Sequence, residues 1–250
     1  MTIVLSTLNA RYSHASLGLR YLFANMGELQ RETHIEEFVI GSRTTDLLER
    51  LLRWQQPGQK LIIGFGVYIW NVEETCKLIA QLKRFAPEVV IVLGGPEVSY
   101  ETQEQEIVKH ADFVITGWGD VSFPDLCRQI LRGPQPLMKI HAGVQAPLSE
   151  IKLPYAYYSD DDIKNRTLYV EASRGCPFKC EFCLSALDKT AWPFDIDLFL
   201  AELEQLHARG ARLFKFVDRT FNLNIKTSLK IMQFFLDKLN AHPDDPVFAH

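Results

Sequence analysis

Three cysteines, Cys176, Cys180 and Cys183, fall within eight positions of a 250-residue chain, separated by three and then two residues. They belong to the stretch Glu171-Ala172-Ser173-Arg174-Gly175-Cys176-Pro177-Phe178-Lys179-Cys180-Glu181-Phe182-Cys183, where Gly175 and Pro177 disfavour helix. A loop of this kind can curl so that three thiolates converge on one cuboidal iron-sulfur cluster. With no fourth cysteine nearby, one iron is left without a protein ligand, and that open iron is a place for chemistry. Structural zinc is the alternative, but such sites close four ligands, usually as two Cys-x2-Cys or Cys-and-His pairs. Only one Cys-x2-Cys pair is present, and the nearest downstream histidine, His207, lies in a predicted helix. The spacing therefore favours iron-sulfur over zinc.

The loop must be held by what surrounds it. A strand is predicted over 167–172, immediately before the cysteines, followed by a helix over 197–208, a strand over 213–217, a helix over 225–239 and a strand beginning at Pro246. Asp218 and Asn222, in Phe216-Val217-Asp218-Arg219-Thr220-Phe221-Asn222, follow the second of these strands and face the same end as the cysteines. They read either as ligand contacts or as a turn acid and a helix-capping amide. A closed barrel needs about six to eight strands, so residues 167–250 read as the beginning of one, and the chain as part of a longer protein.

Upstream, residues 1–131 alternate short β-rich apolar runs with amphipathic helical patterns, the signature of a parallel sheet covered on both faces. Five strands are predicted, over 3–8, 34–40, 61–66, 89–93 and 113–116. Asn71 with Glu74 reads as a capping box ahead of the apolar stripe Val72, Cys76, Ile79 and Leu82. Cys127 falls on the stripe Phe123, Leu126 and Ile130, so Cys76 and Cys127 are expected to pack as small hydrophobes. Residues 132–166, rich in proline and carrying Asp160-Asp161-Asp162, read as a linker.

In open parallel sheets, ligands bind beyond the carboxyl ends of the strands. The loops there are Asn9-Ala10-Arg11-Tyr12-Ser13-His14-Ala15-Ser16, Val67-Tyr68-Ile69-Trp70, Gly94-Gly95-Pro96-Glu97 and Gly117-Trp118-Gly119-Asp120. Glycine lets backbone approach a broad ligand, while aromatic and amide groups supply contact. Each glycine taken alone is equally an ordinary strand-to-helix turn.

Cys-x3-Cys-x2-Cys with Phe182 directly before the last cysteine resembles the radical S-adenosylmethionine (radical SAM) superfamily. The glycine-bearing loops, above all Gly94-Gly95-Pro96-Glu97 and Gly117-x-Gly119, resemble the cobalamin (B12)-binding domain that precedes the barrel in many of its members. With Asn-Ala-Arg-Tyr-Ser-His-Ala-Ser-Leu-Gly near its start, the chain is most similar to a poorly characterised subgroup. The resemblance implies an α/β fold: a flavodoxin-like, Rossmann-type parallel sheet domain (1–131), a linker (132–166) and the start of a partial (β/α) radical SAM barrel (167–250), with cobalamin held over the barrel mouth. It further implies that Cys176, Cys180 and Cys183 hold a [4Fe-4S] cluster and that the cluster cleaves S-adenosyl-L-methionine to a 5'-deoxyadenosyl radical. Phe182 is then near the adenine, with Asp218 and Asn222 as further ligand contacts. The radical abstracts hydrogen from an unactivated position, and methylcobalamin donates methyl. Asn9, Arg11, Tyr12, Ser13, His14, Val67, Tyr68, Gly94, Gly95, Pro96, Glu97, Gly117 and Gly119 would contact cobalamin. One departure matters: the Asp-x-His-x-x-Gly motif that supplies a lower cobalt ligand is missing, since Tyr12 precedes His14 by two positions and Gly18 follows it by four. His14 is then a polar loop contact. Within the enzyme class the alternatives are radical rearrangement, cyclisation or methylthiolation; outside it, a non-catalytic cobalamin-binding or zinc-stabilised regulatory module.

Composition limits the partners. Lys and Arg number 27 against 31 Asp and Glu, a net charge of -4, which lacks the basic excess that phosphate neutralisation demands. Nucleic acid is therefore not the expected substrate; a small molecule or peptide is, with an electron donor such as flavodoxin or ferredoxin. The start of the chain lacks a basic signal-peptide region, and no apolar stretch reaches the roughly 20 residues of a membrane helix. An odd cysteine count with three crowded together suits a reducing compartment, so the expected location is cytoplasmic.

Overall fold

Apolar runs and amphipathic stretches in the first half become strands and helices in strict turn. They are β1 (Thr2–Asn9), α1 (Leu17–Ala24), β2 (Thr33–Val39), α2 (Thr44–Leu52), β3 (Leu61–Gly66), α3 (Val72–Phe85), β4 (Val90–Gly94), α4 (Glu106–His110), β5 (Phe113–Thr116), α5 (Ser122–Arg132) and β6 (Ile140–Ala142). The computed structural model describes residues 1–134, 136–183 and 190–250, which form two units, Met1–Ala146 and Pro147–His250.

All six strands of the first unit pair in parallel, in the order β2-β1-β3-β4-β5-β6. This is the doubly wound, flavodoxin-like order with one strand added, and its switch point lies between β1 and β3. Alternation along each strand divides the core in two. Val4, Leu8, Ile63, Phe65, Ile91 and Leu93 lie under α2, α3 and α4, while Ile3, Leu5, Ile62, Val90 and Val92 lie under α1 and α5.

β6 corrects the sequence reading: it lies in the stretch expected to be a linker and extends the sheet through Val114↔Ile140, Ile115↔His141 and Thr116↔Ala142. A three-residue strand among prolines shows no periodicity to read. The capping box expected at Asn71 and Glu74 is also absent. Asn71 does sit at the N-cap of α3, but its side chain makes no capping bond there, and the Glu74 carboxylate accepts instead from the Gly41 amide at 2.8 Å.

The second unit contains α6 (Asp160–Asn165), β7 (Leu168–Val170), β8 (Ser173–Gly175), β9 (Ala191–Pro193), α7 (Ile196–Ala208), β10 (Leu213–Phe216), α8 (Ile225–Ala241) and β11 (Phe248–Ala249). The acidic run expected within the linker forms the first turn of α6. There Ser159 and Asp162 make a reciprocal capping box, and three carboxylates meet the positive end of the helix dipole. β11, β10 and β7 form a parallel sheet in that order, and β8 and β9 an antiparallel pair. Among the described residues these strands do not close into a barrel.

Cys127 is fully buried under the sheet beside Phe123, Leu126 and Ile130, and burial pushes its thiol up to about 12. Cys76 is partly exposed on the flank of the opposite cluster. Cys127→Ser should therefore lower the unfolding free energy by about 1–3 kcal/mol by burying an unpaired hydroxyl. Cys76→Ser should change it by less than about 0.5 kcal/mol. Urea unfolding of the two variants checks the contrast.

Candidate functional site

Strands that end together in a parallel sheet leave their following amides and carbonyls without ladder partners, and here side chains supply them. After β1, the loop over residues 9–16 is organised by Glu37 of β2. Its Oε1 accepts from Asn9 Nδ2 at 2.9 Å and from the Ser16 amide at 2.5 Å. Its Oε2 pairs with Arg20 at 2.9 Å, and both side chains are buried. Arg20 also donates to the Ser16 carbonyl, while Ser16 caps α1 by accepting from the Leu19 amide. Arg11, Tyr12 and Ser13 are exposed and His14 is partly so; the Asn9 side chain is turned to Glu37.

Asn71, with no exposed surface, ties the next loop down. Its Oδ1 accepts from the Tyr68 amide at 2.8 Å, and its Nδ2 donates to the Leu8 carbonyl at 3.0 Å and to Thr7 Oγ1 and the Gly66 carbonyl at 3.2 Å each. The ends of β1 and β3 are thereby joined at the switch point. Val67 is buried, and its amide donates to the Gly94 carbonyl at 2.8 Å. Tyr68 stacks on Trp70 with centroids 4.5 Å apart, and burial raises its phenol above the ordinary value. Ile69 and Trp70 present exposed apolar surface at this edge.

The two glycines after β4 differ. Gly95 has φ +110°, and a Cβ there would lie 2.4 Å from the Val67 carbonyl oxygen, so this position requires glycine on backbone grounds alone. Gly94 has room, its nearest neighbour being the Ile115 carbonyl at 3.8 Å. Ser99 joins this loop to the one after β5: its hydroxyl donates to the Gly95 carbonyl at 2.8 Å and accepts from the Gly117 amide at 3.0 Å. Pro96 and Gly117 are exposed, with Glu97 and Gly119 partly so. The structure thus brings the four loops to one edge. Of the residues that hold them there, Glu37 and Ser99 carry no sequence signal beyond polar character beside apolar runs, and Asn71 carries only that of a helix cap.

In the second unit the cysteines follow β7 and β8. Cys180 is exposed, Cys176 and Cys183 are partly so, and none is in a disulfide. The Cys183 amide donates to the Cys180 carbonyl at 3.0 Å, a turn that brings the Cys-x2-Cys pair onto one short bend. Cys176 Sγ lies 3.6 Å from Thr220 Oγ1. Phe182 is 94% exposed beside Cys183. Among the described residues no three Cys, His, Asp or Glu side chains stand together as a preformed metal site. The donor set still suits an iron-sulfur cluster: three thiols on one loop at a strand's carboxyl end, none of them sealed in the apolar core as Cys127 is.

Asp218 reaches the root of this loop, accepting from the Ala172 amide at 3.0 and 3.2 Å and from the Ser173 hydroxyl at 2.6 Å. Burial pushes its carboxyl above the ordinary value, against the pull of those hydrogen bonds. Asn222 is exposed and is not the helix cap; Asn224 caps α8, accepting from the Thr227 amide at 3.2 Å. His207 lies buried in α7.

Residues 3–127 match the family model described as B12 binding domain. The chain is 26% identical to an uncharacterized methyltransferase, PH0819, of Pyrococcus horikoshii, over 88% of the chain and 53% of that protein. It is 24% identical to the cobalamin-dependent radical SAM methyltransferase TokK of Streptomyces tokunonensis, over 49% of the chain and 21% of that protein. Its fold resembles that of the radical SAM methyltransferase TsrM from Kitasatospora setae (TM-score 0.66, 16% identity, 98% of this chain and 53% of that one). It also resembles the cobalamin-dependent SAM radical enzyme OxsB (TM-score 0.72, 15% identity, 94% of this chain and 37% of that one). The chain thus spans about half the length of the first of these relatives. No helix among the described residues is long and apolar enough to cross a membrane.

Asn71→Ala should cost about 2–4 kcal/mol, because it strands the buried Tyr68 amide and Leu8 carbonyl together. Chemical denaturation monitored by circular dichroism checks this; a loss below about 1 kcal/mol would mean that water replaces the amide.

Proposed function

Because the chain belongs to the B12 binding domain family, we propose that it is the cobalamin-binding and cluster-bearing part of a radical SAM enzyme that transfers methyl to an unactivated position of a small molecule or peptide. One coincidence carries this reading. A single chain follows a sheet of that family, with glycine and aromatic loops at its carboxyl edge, by a Cys-x3-Cys-x2-Cys loop at the carboxyl end of another parallel strand. The names of the related proteins, three of them methyltransferases, support the reaction class.

In this reading Cys176, Cys180 and Cys183 are the cluster ligands, and Phe182 offers an aromatic face beside them for the adenine of S-adenosyl-L-methionine. The loops over 9–16, 67–70, 94–97 and 117–120 receive cobalamin. Once bound, the reduced cluster supplies homolytic cleavage of the sulfonium, and cobalamin supplies a methyl carrier. The protein orients and shields. Glu37, Asn71 and Ser99 fix the loops before any ligand arrives, so less ordering cost is left to binding. Electrons come from a donor such as flavodoxin or ferredoxin. His14 lacks the Asp-x-His-x-x-Gly context and serves as a polar contact, with no protein imidazole on cobalt.

Gly94→Ala separates ligand contact from folding, because a methyl fits there with only an ordinary contact, 3.8 Å, to the Ile115 carbonyl. It should leave the unfolding midpoint unchanged and weaken hydroxocobalamin binding at least about tenfold, or 1.4 kcal/mol. His14→Ala should weaken it by less than about threefold. Unchanged affinity in Gly94→Ala would remove this loop from the site. Anaerobic reconstitution should load about four irons per chain, and replacing all three cysteines by Ala should abolish the iron-sulfur absorbance. Retention of that absorbance would refute the ligand assignment.

A further inference from the structure

Backbone pairing between β7 and β10 reaches Val170↔Phe216, with one more bond from the Val217 amide to the Val170 carbonyl at 2.9 Å. Beyond that point the two segments remain joined by side chains. Asp218 takes the Ala172 amide on both carboxylate oxygens and the Ser173 hydroxyl on Oδ1, and further out Thr220 meets Cys176. The same stretch is pinned from two other sides. The Tyr155 hydroxyl accepts from the Glu171 amide and donates to the Glu171 carbonyl, both at 3.1 Å, and the Phe194 amide donates to the Ala172 carbonyl at 3.0 Å. Arg174, two residues beyond Ala172, is paired with Glu171 at 2.6 Å and lies over the Phe194 ring. The peptide groups at 171 and 172 thus have tertiary partners, and Asp218 is the one that bridges from the neighbouring strand.

We propose that Asp218 is a positioning residue. Its carboxylate is committed to Ala172 and Ser173, fixing the root of the cysteine loop to β10 rather than contacting S-adenosyl-L-methionine. The proposal rests on the reading of Cys176, Cys180 and Cys183 as cluster ligands. A three-ligand loop must bring all its thiols to one point, and anchoring the residues that lead into Cys176 lowers the conformational cost of doing so. Ser173 contributes through its hydroxyl, three residues before the first ligand. Geometry here calls for hydrogen-bond acceptance at Asp218, not for negative charge, which makes the two possible roles separable.

The test uses Asp218→Asn, Asp218→Ala and Ser173→Ala in the whole chain. The first measurement is amide hydrogen exchange of the metal-free protein. Asp218→Ala should speed exchange at Ala172 and across residues 173–183 at least about tenfold, with β3 and β4 unchanged, while Asp218→Asn, which keeps an acceptor oxygen, should stay within about threefold of wild type. The second is iron retained after anaerobic reconstitution and desalting. It should fall by about half or more in Asp218→Ala, fall less in Ser173→Ala, and remain near wild type in Asp218→Asn. The third is S-adenosyl-L-methionine binding to reconstituted Asp218→Asn, expected within about threefold of wild type.

A loss of that affinity beyond about tenfold in Asp218→Asn, with iron content and exchange unchanged, would overturn the proposal and make Asp218 a ligand contact. Wild-type exchange rates in Asp218→Ala would overturn it as well. If Asp218→Ala does not fold, Ser173→Ala and Asp218→Asn still decide, since raised exchange at 173–183 in the first with rescue in the second supports it and the reverse sinks it. If the wild-type chain takes up no iron, the functional reading fails while the exchange measurements still judge the anchoring role.

Discussion

A parallel strand that ends cannot hand its last carbonyls and its following amides to the ladder, and leaving them unpaired away from water costs about 1–3 kcal/mol each. That constraint organises both units. In the first, Asn71, Glu37 and Ser99 each close part of the shortfall with a side chain, and each joins segments belonging to different strands. In the second, Asp218 and Tyr155 do the same around Glu171 and Ala172. The residues that satisfy the backbone are also those that determine where the exposed loops stand. Rigidity of the fold and preorganisation of the site therefore come from the same bonds.

The strongly periodic parts of the chain were legible in its sequence. The runs that became β1, β3, β4 and β5 are apolar, β-rich and bounded by turn residues, and the stripe through Phe123, Leu126, Cys127 and Ile130 lies on one face of α5 as its spacing requires. β6 and the β8–β9 pair were not legible, because Ile140–Ala142, Ser173–Gly175 and Ala191–Pro193 carry no run of β-rich apolar residues and form only where a neighbouring edge offers them bonds. Asn71 shows a different limit. Its place before a helix with glutamate three residues on is the local signature of a cap, yet the amide faces the sheet, where the long-range partners Thr7 and Leu8 outcompete the cap. Asp218 is legible in the sequence as an acid just after a strand, but its partners lie some 45 positions away.

The cysteines show how surroundings separate residues of one type. Cys127 has its thiol held in the protonated form by an apolar cluster and serves as packing. Cys176, Cys180 and Cys183 lie outside such a cluster on one loop, with Cys180 exposed and the other two partly so. The glycines divide in the same way: Gly95 is required by its own backbone and by the approach of Val67, whereas Gly94 is small where the fold leaves space. That room, at an edge where Ile69 and Trp70 are exposed, is what the proposed cobalamin site would use.

Hydrogen exchange of the whole chain with and without saturating hydroxocobalamin tests the proposal that cobalamin binds at the carboxyl edge of the first sheet. Slowed exchange is expected in residues 9–16, 67–71, 94–99 and 117–119, with α2 and α3 unaffected. Binding that leaves all four segments at their unliganded rates, or that protects only the second unit, would contradict it.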